Sequence, residues 1–227
     1  MSKHTNYSVD GVFDALALQP GRGEGRAVMF VSGRRTAGVT TLARMVAEQA
    51  TARAVYAVDL DLKRNALARA LAGSTRLGPK QDGRIGGQTF YSVRGAHGAL
   101  INEATPAFSY HRVGATRIHA GVFDVREIAP GGRVVISSAP HYWDAVRATG
   151  ALVVVDAPSL DRSQIGLRVA RNMDGVVLLV GGEPGDAPAA AAAKEALVAA
   201  GANVMGLVYA GATAPVLAID RFLRQAG

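Results

Sequence analysis

Short, continuous apolar runs alternate with helix-forming stretches along most of this chain. Residues 8 to 18 alternate apolar and polar positions with a helical period, and Pro20-Gly21-Arg22-Gly23 ends that segment as a turn or linker. Residues 27 to 31 (AVMFV) are then apolar without interruption, as in a strand buried on both faces, and lead through a glycine-rich stretch into a helix expected from about 40 to 48. Similar runs occupy 54 to 58, 151 to 155, 175 to 180 and 204 to 209, with helices expected at about 64 to 72 and within the alanine-rich tract 187 to 200. Strands alternating with helices predict an α/β fold with a doubly wound, mostly parallel sheet, whose ligands sit at the carboxyl ends of the strands.

Residues 73 to 133 break this rhythm. They are rich in glycine and arginine, with few long apolar runs, and read as a loop-rich insertion holding short strands at about 88 to 93 and 117 to 123. A strand at 134 to 137 and a helix from about 141 to 148 follow. The expected organisation is a helix and linker over 1 to 22, then one domain over 23 to 227 carrying the insertion. Tyr142 and Trp143 read as packing residues. His97, His111, His119 and His141 lack metal-ligand spacing and read as loop or surface residues.

Composition narrows the function classes. The 227 residues include no cysteine, which excludes a disulfide framework, a thiol nucleophile and thiolate metal sites. The first 20 residues lack the apolar core of a secretory signal, and no run approaches the roughly 18 apolar residues needed to span a bilayer, so a cytoplasmic protein is expected. An excess of 25 Lys and Arg over 18 Asp and Glu gives a net charge of +7. That favours an acidic partner, nucleic acid or an anionic membrane surface, but an arginine-rich composition without functional meaning accounts for it equally well.

Candidate chemistry concentrates at the strand ends. Gly33-Arg34-Arg35-Thr36-Ala37-Gly38-Val39-Thr40-Thr41 has the frame of a phosphate-binding P-loop, G-x-x-x-x-G-K-[ST], with valine in place of lysine. In that motif backbone N–H groups surround the phosphates, the hydroxyl after the lysine binds Mg²⁺, and the lysine reaches the β- and γ-phosphates. Val39 offers neither charge nor side-chain donor, so it forfeits charge stabilisation on which phosphoryl transfer depends. Behind the loop, Asp59, Asp61 and Asp156 each follow an apolar run, and Asp156 is placed as a Walker B carboxylate.

These blocks resemble the cytoplasmic domain of bacterial tyrosine autokinases that regulate capsule and exopolysaccharide export, relatives of the MinD and ParA ATPases. The resemblance covers roughly half the chain: Phe30 through Ala43, Ala57-Val58-Asp59-Leu60-Asp61-Leu62-Lys63-Arg64, Val154-Val155-Asp156-Ala157-Pro158 with Asp174 to Val180, and Ala202 to Val208. It implies a P-loop fold, ATP or ADP with Mg²⁺ as ligands, Thr40, Asp59 and Asp156 as Mg²⁺ ligands, and Asp59 with Asp61 as candidate catalytic carboxylates. The departures are as informative. Val39 replaces the lysine, and Arg34 stands at the place of the additional signature lysine of MinD-like ATPases. Ala210 stands where an asparagine meets the base, and residues 218 to 227 lack the substrate tyrosines.

The resulting expectation is a degenerate P-loop protein in which nucleotide binding can also be lost. It would act as a regulator or scaffold in polysaccharide synthesis and export, at the inner face of the cytoplasmic membrane. Its expected partner is a membrane-embedded polysaccharide co-polymerase, and a homo-oligomer is compatible with the resemblance. One alternative is an active MinD- or ParA-like ATPase or tyrosine autokinase in which Arg34 or Arg35 replaces the lysine. Another is a basic module for nucleic acid or membrane surfaces. Against specific nucleic-acid binding, Phe90, Tyr91, Phe108 and Tyr110 form no known stacking module.

Overall fold

The computed structural model describes residues 9–17, 24–35, 38–95, 98–101 and 107–209. Thr36 and Ala37 of the glycine loop, the 20 to 23 turn, His97, Ala210 and the tyrosine-free tail lie outside them.

In chain order the elements are α1 (Asp10–Ala17), β1 (Arg26–Ser32), α2 (Val39–Gln49), β2 (Val55–Asp59), α3 (Ala66–Ala72), β3 (Leu77–Asp82), β4 (Tyr91–Arg94), β5 (Leu100–Ile101), β6 (Phe108–Val113) and β7 (Ile118–Phe123). After a 3₁₀ turn at Val125–Glu127 come β8 (Arg133–Ile136), α4 (His141–Ala148), β9 (Leu152–Asp156), α5 (Ile165–Ala170), β10 (Gly175–Val180), α6 (Asp186–Ala199) and β11 (Val204–Tyr209). The main sheet has eight strands in the order β11-β10-β1-β9-β2-β7-β6-β3. Pairing is parallel from β11 through β7 and antiparallel where β6 and β3 extend one edge. The fold is therefore α/β with a mostly parallel, doubly wound sheet.

Two apolar layers sandwich that sheet, which explains the uninterrupted hydrophobicity of its central strands. Successive side chains of a strand face opposite ways, so Ala27, Met29 and Val31 of β1 join one cluster while Val28 and Phe30 join the other. The first cluster is covered by α4, α5 and α6 and by aromatic residues around the small sheet, with Tyr142 and Trp143 fully buried. The second is covered by α1, α2 and α3.

The segment from 73 to 133 is more ordered than its composition suggests. It supplies β7, which pairs in parallel with β2, and the antiparallel strands β6 and β3 beyond it. A separate three-stranded sheet, β5-β4-β8, also draws on it. The strand expected at 134 to 137 is present as β8, but it pairs with β4 in this small sheet. His111 and His119, expected in loops or on the surface, are strand residues: His111 Nδ1 lies 2.8 Å from the Gly78 carbonyl oxygen, and His119 stacks on Tyr56. Among the described residues no helix is long and apolar enough to cross a membrane.

Candidate functional site

Three strand ends and one glycine loop meet at the carboxyl edge of the main sheet. β1 leaves the sheet at Ser32, and the loop passes so close to α6 that a Cβ at Gly33 would lie 2.3 Å from the Ala189 carbonyl oxygen. Only glycine fits that approach. Gly38 closes the loop with φ 117°, a left-handed backbone that favours glycine, and its carbonyl accepts the Leu42 amide at 2.8 Å as α2 begins.

Val39, the first residue of α2, is only 8% exposed and belongs to the apolar cluster on the α2 face, while also lining the cleft above it. Thr40 follows, and its Oγ1 donates to Asp156 Oδ2 at 2.6 Å. Strand register places Asp156 of β9 directly beside Asp59 of β2. Burial pushes the Asp156 carboxyl up to about 7; the Asp59 charge adds to the rise and the Thr40 hydroxyl opposes it.

Asp59 is held differently. Its Oδ1 accepts the Asp61 amide at 2.8 Å, and its Oδ2 accepts those of Ala66 at 2.6 Å and Leu67 at 3.2 Å. Burial raises its pKa as well, and these backbone donors work against the rise. The carboxylate thus caps the start of α3, where Asn65 makes no side-chain cap. Asp61 faces the cleft with Oδ2 between Arg162 Nη2 at 3.2 Å and Arg64 Nε at 3.6 Å.

The loop arginines diverge. Arg34 turns toward the start of α6, donating to the Pro184 carbonyl at 3.1 Å and lying 3.5 Å from buried Asp186. Arg35 lines the cleft, and its amide donates to Asp161 Oδ2 at 3.3 Å. The cleft enclosed by these groups holds about 170 Å³. A wider groove of about 360 Å³, lined largely by apolar side chains from Leu60 to Ile165, shares Asp61, Pro158 and Arg162 with it.

As a place for Mg²⁺ the donors fit in part. A threonine hydroxyl and a buried carboxylate converge at Thr40 and Asp156, and Mg²⁺ commonly takes one or two protein ligands with water and phosphate completing its octahedron. Asp59 already accepts three backbone donors. Among the described residues no three His, Cys, Asp or Glu side chains form a metal-binding group. The structure therefore brings Gly33, Arg35, Gly38, Val39, Thr40, Asp59, Asp61 and Asp156 to one edge and turns Arg34 away. Thr41 is exposed on α2. Sequence reading passed over Asp161 and Arg162, whose signal was their position just after the Asp156-Ala157-Pro158 strand end.

A glycine loop leading from β1 into α2, with a threonine bonded to the aspartate that ends the neighbouring strand β9, is the layout of a P-loop fold, and its neighbours among solved structures are of the MinD/ParA-like type. The structure is similar to the MinD cell division protein of Aquifex aeolicus, with a TM-score of 0.53 and 15% identity over 81% of this chain and 68% of that one. It is also similar to a ParA family ATPase from Chlorobium tepidum TLS, with a TM-score of 0.51 and 14% identity over 81% and 73% of the two chains. The kinase domain of the Escherichia coli tyrosine kinase ETK aligns at a TM-score of 0.44 and 16% identity, covering 84% of this chain and 69% of that one. At such identities the likeness to MinD and ParA concerns the fold. No family model matches the chain, and no curated protein does.

Proposed function

We propose that this chain is a P-loop module that has given up phosphoryl transfer and serves as a regulatory or scaffolding component of exopolysaccharide synthesis and export. Val39 carries the first half of that reading. Phosphoryl transfer relies on positioning and on cations that stabilise charge in the transition state, and the position that should bring an ammonium to the phosphates is an apolar side chain packed into the core. Arg34 is a poor substitute, because Asp186 and the Pro184 carbonyl hold its guanidinium on the α6 side.

Nucleotide binding is a separate matter from turnover. Thr40 and Asp156 are the residues to hold Mg²⁺, which would supply charge neutralisation between phosphate oxygens, and the amides opening α2 are suited to an anion. The polysaccharide role rests on the sequence resemblance at Asp59 to Arg64 and at Asp156 to Pro158. It implies a membrane-embedded co-polymerase as partner, and the +7 charge suits work at an anionic membrane face.

Phosphate release and calorimetric titration with Mg·ATP and Mg·ADP test this reading on the native chain and on Val39→Lys. The expected outcome is no turnover by the native protein and a gain in nucleotide affinity in the variant. Micromolar binding with turnover by the native chain would sink the proposal. The fold likeness to MinD and ParA favours a second reading, an active positioning ATPase. That reading requires Mg·ATP-dependent dimerisation, which sedimentation velocity would detect.

A further inference from the structure

Loss of the lysine leaves the cleft without its usual cation, yet the cleft is not poor in positive charge. Arg35, Arg64 and Arg162 line it together with Asp59, Asp61 and Asp156. The carboxylates are unequal opponents. Asp59 has its charge met by three backbone amides. Asp156 is buried and has one oxygen taken by the Thr40 hydroxyl at 2.6 Å. Asp61 is left to face two guanidinium groups, both directed at the same oxygen.

Arg162 is the better placed of the two. Its loop is fastened to β1 and the glycine loop by three backbone bonds in succession: Ala157 N–H to Phe30 at 2.9 Å, Leu160 N–H to Ser32 at 3.0 Å and Asp161 N–H to Gly33 at 3.1 Å. The Asp161 carboxylate adds a fourth tie by accepting the Arg35 amide at 3.3 Å. Arg162 therefore starts from a point fixed against the phosphate loop, while its guanidinium, 39% exposed, reaches across the cleft mouth to Asp61. A guanidinium so placed can exchange one oxyanion for another, since carboxylate and phosphate both suit its planar fork.

We infer that Arg162, with Arg64 beside it, is the anion-binding cation of this cleft, released from Asp61 onto the phosphates of a polyphosphate ligand in place of the lysine absent at Val39. This rests on reading the cleft as a P-loop phosphate site, but it does not require turnover. Asp61 acts as the competitor that occupies the arginines when the ligand is away. Arg34, committed to α6, takes no part.

The test is titration of the full chain with two probes, Mg·ADP and inorganic tripolyphosphate, which separate a nucleotide from a bare polyphosphate as the source of the phosphates. Arg162→Ala is expected to weaken the probe that binds by about tenfold or more, the usual effect of losing a hydrogen bond to a charged group. Arg34→Ala should leave affinity unchanged. Asp61→Asn should strengthen binding several-fold, because it removes the competing charge and frees both arginines. That arm keeps the test decisive even where Arg162→Ala fails to fold. Equal affinity in native and Arg162→Ala proteins, or weaker binding by Asp61→Asn, overturns the inference. Failure of the native chain to bind either probe also overturns it, and leaves the reading of lost turnover standing. Turnover of Mg·ATP by the native chain overturns that reading instead, while the Arg162 comparison still decides the role of the arginine.

Discussion

Asp156 sits 5% exposed at the end of β9, and its ionisation sets a stability cost that grows with pH. Its pKa in the folded chain is about 7, against roughly 3.9 for an unfolded aspartate. Between those values the folded protein keeps a proton that the unfolded chain has released. Stability therefore falls as pH rises through the window, by up to about 1.4 kcal/mol per pH unit, and levels off above the folded pKa. Asp59 is raised in the same direction, chiefly by burial, and adds to the same trend. Asp156→Asn removes the charge while leaving an oxygen to accept from Thr40. Chemical denaturation at pH 5 and pH 8 should show the native chain losing about 1 to 3 kcal/mol relative to this variant across the interval. A constant difference between the two proteins would mean that Asp156 ionises like an ordinary aspartate.

Single elements show where sequence was a good guide and where it was not. β10, β11 and α4 fall on the expected residues, because β10 is apolar throughout and α4 presents Tyr142, Trp143 and Val146 to one face of the sheet. β6 was missed. Its residues Phe108 and Tyr110 alternate with polar neighbours, a weaker pattern than a doubly buried strand makes. β3 was hidden by Pro79 and by its polar residues, which an edge strand tolerates and an interior strand does not. The loop and the strand-end aspartates were legible from spacing. The capping of α3 was not, because the cap comes from a side chain six residues before Asn65, at the end of a strand. Asn65 instead uses its amide to bridge the backbone N–H and carbonyl of Phe123 on β7. Asp59→Ala should therefore destabilise the chain by about 1 to 3 kcal/mol through three unpaired amides. Hydrogen exchange should localise the loss to α3. Exchange that rises uniformly, with no excess at Ala66 and Leu67, would argue against the cap.

At the scale of the whole molecule, the edge of the sheet opposite the cleft is held by a buried charge pair that sequence pattern gave no reason to expect. Arg147 of α4 is fully buried. Its Nη1 donates to the Asn172 carbonyl at 2.7 Å and lies 3.5 Å from Asp174 Oδ2, while Nη2 pairs with Asp144. Asp174 Oδ2 accepts the Ala27 amide at 2.7 Å, and the Arg147 carbonyl accepts the Gly25 amide at 3.0 Å. Arg147 and Asp174 together thus join α4, the turn before β10 and the entry to β1, the strand that runs up to the glycine loop. Desolvating two charges makes such a pair a weak source of net stability, but removing one partner strands the other in the core. Arg147→Met should cost about 3 to 5 kcal/mol because Asp174 is then buried with little to neutralise it. Asp174→Asn on that background should restore part of the loss, since an amide keeps an acceptor for Ala27 and carries no charge. A double-mutant cycle by urea denaturation should therefore return a coupling of about 1 to 3 kcal/mol. Additive effects would mean that the two residues act independently, and that β1 is positioned by packing alone.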